Sequence, residues 1–311
     1  SAMFESFSLV AKQVAILFIL MGIGAACNKA GLLKEEAVKG IVNLLLLIVT
    51  PCLIISAFQR DYNASMAAGL LQSLAYAFGF HLLAILLAHL FVHHPEKAGE
   101  RVLRFAVVFS NAGFMAIPLE QAVLGMDGVF YGAAIIAVFN LIVWSYGLIL
   151  MNGRVSDIRI RQLLVNPGII GMLFGCALFL CSIRLPGVLT TVTRSMAGLN
   201  TPLAMIVIGY YLAEAKIGRL FTCPAAYVTI ALRLIAVPLA VIAAIRVIGH
   251  TDRTVALSAV IAASAPVAAM TTMFASRFRQ DTALSVGIVA VTTLLSILTM
   301  PLIVAWAQVS L

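Results

Sequence analysis

Apolar stretches close to 20 residues long recur from one end of this 311-residue chain to the other, and no other feature limits its fold as strongly. About 20 apolar residues in a helix cross the hydrocarbon core of a bilayer. Ten such spans are expected, at 7–26, 38–58, 67–92, 102–124, 128–151, 163–182, 189–213, 224–248, 254–276 and 282–307. All should be helices, because lipid offers no partner for unpaired backbone groups. With 10% charged residues and a mean hydropathy of +1.10, the chain has too little charge to cover a soluble domain of this size. The expectation is an all-α membrane protein in which residues 1–311 form a single membrane domain with short connections. The first run is too long and its flank too acidic (Glu5) for a cleaved leader. Ser1 and Ala2 ahead of Met3 read as a remnant of cloning.

A net charge of +8 would suggest nucleic acid in a soluble protein. Here the basic residues lie in short loops and no aromatic–basic interleaving accompanies them, so no nucleic-acid partner is expected. The loops after spans 1, 3, 5, 7 and 9 hold 13 of the 20: Lys29, Lys34, Lys39, Lys97, Arg101, Arg104, Arg154, Arg159, Arg161, Lys216, Arg219, Arg277 and Arg279. The positive-inside rule places these loops in the cytoplasm and both termini outside. The five cysteines, odd in number and without a C-x-x-C pair, read as buried structural thiols.

The chain also resembles itself. Thr50-Pro51 in span 2 returns as Thr201-Pro202 in span 7, 151 residues on. His81 in span 3 is matched by Arg233 in span 8, 152 residues on. Ser110-Asn111-Ala112-Gly113 in span 4 is matched by Ala263-Ser264-Ala265-Pro266 in span 9, 153 residues on. Constant spacing predicts two repeats, 7–151 and 163–307. Five spans is an odd number, so the second repeat would enter the membrane from the opposite side. Inverted repeats of this kind mark carriers whose site lies near the midplane, between discontinuous helices.

The interruptions carry the expected chemistry. In span 4, Asn111, Gly113 and Pro118 fall within eight residues. Proline removes a donor and clashes with the carbonyl four residues back. Backbone freed at that depth must line protein or a watery cavity. A broken helix would aim free N–H groups and its positive dipole end at an anion. Span 9 has its own break at Ser264-Ala265-Pro266, among small residues that permit close helix crossing. Helices 4 and 9 are thus expected to break and cross, with Asn111, Ala112, Gly113, Pro118, Ser264, Ala265 and Pro266 as substrate-binding candidates.

These motifs carry a family resemblance. Asn-Ala-Gly-Phe-Met-Ala-Ile-Pro at 111–118, Arg-Leu-Ile-Ala-Val-Pro at 233–238 and Ser-Ala-Pro at 264–266 resemble the auxin efflux carrier family of bacterial and plant transporters, within the bile-acid-symporter-like superfamily. The resemblance implies a scaffold of spans 1, 2, 6 and 7 and a transport domain of spans 3–5 and 8–10. It implies elevator-type movement, homodimers and, for a bacterial member, the inner membrane and efflux. The long loop of the plant carriers is missing, since residues 152–162 are all that join spans 5 and 6, so auxin is not supported as the substrate.

Other intramembrane polar residues have two readings each. Arg233 either complements an anion or satisfies carbonyls freed by Pro238, the second being preferred; it is kept among the site candidates. Asn140 either joins Asn111 at the site or bonds between helices. Thr50 and Thr201 either line the pocket or act at hinges. His81 reads as a packing residue. Glu120, Asp127 and Glu214 are read as lying near span ends, which leaves no carboxylate at a span centre. A proton riding on the substrate and Na⁺ held by carbonyls both remain open as coupling ions. His89, His93 and His94 lack acidic or thiol partners and are read as interfacial residues, so neither a metal nor a cofactor is expected. The leading function is secondary transport of a small organic anion. Uncoupled efflux, a Na⁺-coupled symporter and a solute-binding membrane sensor are the alternatives. An intramembrane enzyme lacks the Asp pairs, Ser/His sets or H-E-x-x-H motif it would need.

Overall fold

The computed structural model describes residues 2–155 and 160–311. Arg159, counted above in a basic loop, lies outside the described residues, as does Ser1. Every regular element among the described residues is helical. In chain order they are α1 (Ala2–Lys29), α2 (Glu35–Ala57), α3 (Ala64–Phe91), α4 (Lys97–Val108), α5 (Ala112–Asn152), α6 (Ile160–Leu164), α7 (Pro167–Leu180), α8 (Gly187–Glu214), α9 (Pro224–Ile248), α10 (Arg253–Ser264), α11 (Met270–Arg277) and α12 (Thr282–Ser310). A 3₁₀ turn at Gly218–Thr222 separates α8 from α9.

Seven of these helices, α1, α2, α3, α5, α8, α9 and α12, are long and apolar enough to cross a membrane, and α7 and α10 are shorter apolar helices. The chain is a multi-pass membrane protein. The 41 residues of α5 hold about 60 Å of helix along the chain, twice the ~30 Å of a bilayer core, but in two parts of which the second packs back on the first. It kinks at Gly125, whose φ of 69° and ψ of −156° belong to no helix and favour a residue without Cβ.

Proline shapes three of the helices in the same way. Five-residue π turns at Leu45–Val49, Ala112–Ala116 and Leu232–Ala236 stand just ahead of Pro51, Pro118 and Pro238. In each, the residue before the proline donates its N–H five residues back: Thr50 to Leu45 O, Ile117 to Ala112 O and Val237 to Leu232 O. A proline ring would strike the carbonyl four residues back in a regular α-turn, and the wider turn relieves that clash.

Close packing rests on glycine. A Cβ at Gly24 would collide with the Ile206 backbone, and one at Gly209 with the Met21 backbone, so α1 and α8 cross nearly backbone to backbone. On α7, Gly171 faces Pro51 of α2 and Gly175 faces Phe58 just past its end. Small residues at such contacts let helices gain dispersion energy that lipid cannot match. The thiols are a correction to the buried reading: Cys27, Cys52, Cys176 and Cys223 are half-buried and Cys181 is exposed. Cys181 stands just past the end of α7, in the turn toward α8.

Candidate functional site

Two helices stop in the middle of the bundle and their loose ends pair. Helix α4 ends at Val108 and α5 begins at Ala112. Helix α10 ends at Ser264 and α11 begins at Met270. The connecting residues form an isolated antiparallel bridge between Ser110 and Val267. Asn111 N–H donates to Pro266 O at 2.7 Å, and Ala268 N–H donates to Phe109 O at 2.9 Å. Backbone that each break strips of helical partners is thus satisfied by the other break. On α12, Thr292 supports the crossing by accepting from Val267 N–H at 3.2 Å.

Four helix ends meet here. The C-terminal ends of α4 and α10 present carbonyls, and Arg233 of α9 takes them up. Its guanidinium donates to Val107 O at 2.6 Å, to Val108 O at 3.4 Å and, through its other terminal nitrogen, to Ala263 O. It is wholly buried. The carbonyls it caps are those of the two breaks, where the sequence reading had named those freed by Pro238. The N-terminal ends of α5 and α11 contribute their positive dipole ends, with Ala112 N–H donating to Ser110 O at 2.8 Å and Thr271 and Thr272 N–H to Ala268 O and Ala269 O at 3.0 and 3.1 Å. Asn111 accepts from Phe114 N–H at 3.3 Å, which leaves its amide donors uncommitted among the described residues. The Ser110 and Thr271 hydroxyls beside the crossing are buried with no hydrogen-bond partner among the described residues. Asn111 is 7% exposed and Ser110, Ala265 and Val267 are sealed, so the crossing is nearly closed to solvent in this conformation.

The remaining candidates fall in three places. Asn111, Ala112, Gly113, Ser264, Ala265 and Pro266 lie at the crossing, and Pro118 two residues past the π turn that opens α5. Thr50 lies on α2 and donates to Asn200 Oδ1 at 3.0 Å, next to Thr201 at the bend of α8. Asn140 is not joined to Asn111: it donates to Ile136 O at 2.9 Å and accepts from Asn166 Nδ2, the N-cap of α7, at 3.0 Å. Of the other polar residues, His81 is buried, with Nδ1 2.6 Å from Ala77 O and its ring stacked on Phe80. His89 meets the Tyr146 hydroxyl, while His93 and His94 bond nearby backbone carbonyls. A largely apolar cavity of about 410 Å³ lies away from the crossing, between α3 and α9, lined by Gln72, Tyr76, Phe80 and Val241.

Three residues here escaped the sequence reading. Asn200 forms a polar triplet with Thr201-Pro202 and could have been noticed for it. Thr292 gives no local sign. Glu120, placed near a span end by its number alone, is 1% exposed inside α5. It does lie near a span end, five residues before the Gly125 kink; what its position does not reveal is that it is enclosed.

A comparison with curated proteins gives no match. A family model described as "Membrane transport protein" matches residues 9–304, which include the broken helices, the capping arginine and all the candidate residues. The chain therefore belongs to that family of membrane transporters, the auxin efflux carriers.

Proposed function

We propose that the chain is a secondary carrier that moves a small organic anion, in the direction of efflux, across a bacterial inner membrane. The observation that carries this reading is the backbone bridge between two helix breaks inside an apolar bundle. It brings the positive dipole ends of two helices and the free amide of Asn111 to one place, where they complement a carboxylate. Arg233, spent on carbonyls, keeps the opposing helix C-termini from repelling that anion.

In this reading the helices make ten crossings. Helix α5 crosses twice about its Gly125 kink, α4 continues through its break into the first part of α5, and α10 continues into α11. Residues 7–151 and 163–307 are then inverted repeats. The packing supports this: α1 lies on α8 and α2 on α7, the exchange that a two-fold axis between the repeats would produce. Spans 1, 2, 6 and 7 (α1, α2, α7 and α8) form the scaffold, in a homodimer. The rest carries the crossing up and down as an elevator, driven by H⁺ or Na⁺.

The test is flux in proteoliposomes, using an acid first selected by thermal shift from an organic-acid library. Asn111→Ala should weaken binding by about tenfold or more, the value of one hydrogen bond to a charged group. Pro118→Ala should abolish flux with the fold intact in detergent. Wild-type flux in both variants would remove the crossing from the mechanism, and binding without flux in the wild type would make the chain a sensor.

A further inference from the structure

Glu120 lies two residues beyond Pro118, on the part of α5 between the π turn and the Gly125 kink. Its Oε2 has no hydrogen-bond partner among the described residues. The carboxyl lies so close to Gly132 that a Cβ there would overlap Oε2. A Cβ at Gly128 would stand 2.7 Å from the Glu120 backbone carbonyl oxygen, so the two glycines let the second part of α5 pack down onto this residue. Beside the carboxyl stands the Ser258 hydroxyl of α10, whose proton also reaches Gly128 O at 3.4 Å.

Charged groups on the surrounding helices are engaged elsewhere. Asp127 of α5 pairs with Arg60 of the turn after α2 at 2.6 Å. Tyr131 packs on Gly69 of α3, where His81 is held by Ala77 O. At the start of α10, Asp252 caps the helix through Thr254 and Val255 N–H, and Arg253 donates to Gln308 O. Glu120 belongs to none of the ion pairs among the described residues. An ionised carboxylate enclosed without a cation, with a single hydroxyl beside it, is too costly to sustain, whereas the neutral acid is not. A hard cation would require several oxygen ligands, and here Ser258 is the side chain at hand.

We propose that Glu120 is a proton-binding site, holding the neutral acid while enclosed. This rests on the carrier reading and names its coupling ion. The joints on either side, a π turn and a glycine at φ 69°, let the Glu120 segment lift from Gly132 and Ser258. Water then enters, the carboxyl O–H bond breaks, the proton passes to water, and the hydrated carboxylate stays behind. Reclosure requires a proton to be taken up again.

Infrared spectroscopy of the purified, detergent-solubilised wild type at neutral pH tests this without any solute. The carbonyl stretch of a protonated carboxylic acid should be present, should shift in D₂O and should vanish in Glu120→Gln. Should Glu120→Gln fail to fold, Ser258→Ala serves instead, because loss of the adjacent hydroxyl should move the band. A wild type without the band, a band indifferent to both substitutions, or a band abolished by Na⁺ at constant pH would each overturn the proposal. The band reports on Glu120 whether or not the chain carries a solute. Its absence would leave the carrier reading standing, and loss of that reading through Asn111 and Pro118 would leave the band in place.

Discussion

Three hydrogen bonds tie the Arg233 guanidinium to Val107, Val108 and Ala263, at the ends of the two helices that stop at the crossing. A basic side chain near a helix centre costs about 2.5–3.5 kcal/mol on insertion scales. Satisfying carbonyls that would otherwise be orphaned, at about 1–3 kcal/mol each, offsets that cost. Arg233→Gln cannot span both helix ends, so its unfolding free energy in detergent should fall by about 3 kcal/mol. An unchanged unfolding temperature would remove the capping role. The sequence left this residue with two readings because the carbonyls concerned are 126 and 30 residues away, beyond any local pattern. Asn140 was undecided for the same reason, its partner Asn166 being 26 residues on. Glu120 misled for a different one: position within a span is readable, but enclosure comes from Gly128 and Gly132 pressing back across a kink.

At the level of elements, what local rules govern was legible. Ser264-Ala265-Pro266 marks the break in span 9 at the residues where it falls, whereas in span 4 the break falls at Phe109–Asn111, ahead of Gly113 and Pro118, whose local effect is the π turn at Ala112–Ala116. The pairing of the breaks in register, Ser110 opposite Val267, depends on the whole bundle and left no trace in either segment. That register is testable. The bonds flanking the pair make Ser110 and Val267 a non-hydrogen-bonded pair, whose Cα atoms sit about 4.5 Å apart, within the range a disulfide spans. With the native cysteines replaced, Ser110→Cys with Val267→Cys should cross-link on oxidation in membranes, read as one linked peptide pair by mass spectrometry. Pairing each cysteine with one two positions off register should give far less product, and equal yields from all pairs would mean the segments are not held together.

For the whole molecule, loop charge gives an orientation that the helices alone do not. Lys97, Arg101 and Arg104 lie in the first eight residues of α4, whereas the turn after α7 carries Arg184 paired with Asp61. If the basic loops are cytoplasmic, the α7–α8 turn faces outward, and the Arg60–Asp127 pair ties the turn after α2 to the kink of α5 on that same side. In the elevator reading that pair joins the scaffold to the moving part. It contributes little to stability, being partly exposed, but closes one face. Native Cys181 is exposed at the end of α7 and serves as the reporter. In intact cells a membrane-impermeant maleimide should label the wild type and fail to label Cys181→Ser. A cysteine introduced as Lys97→Cys in the Cys181→Ser background should react only after permeabilisation. The reverse pattern would invert the molecule, placing both termini and the Arg60–Asp127 closure inside. The direction of proton release from Glu120 would invert with them, while the crossing itself would stand.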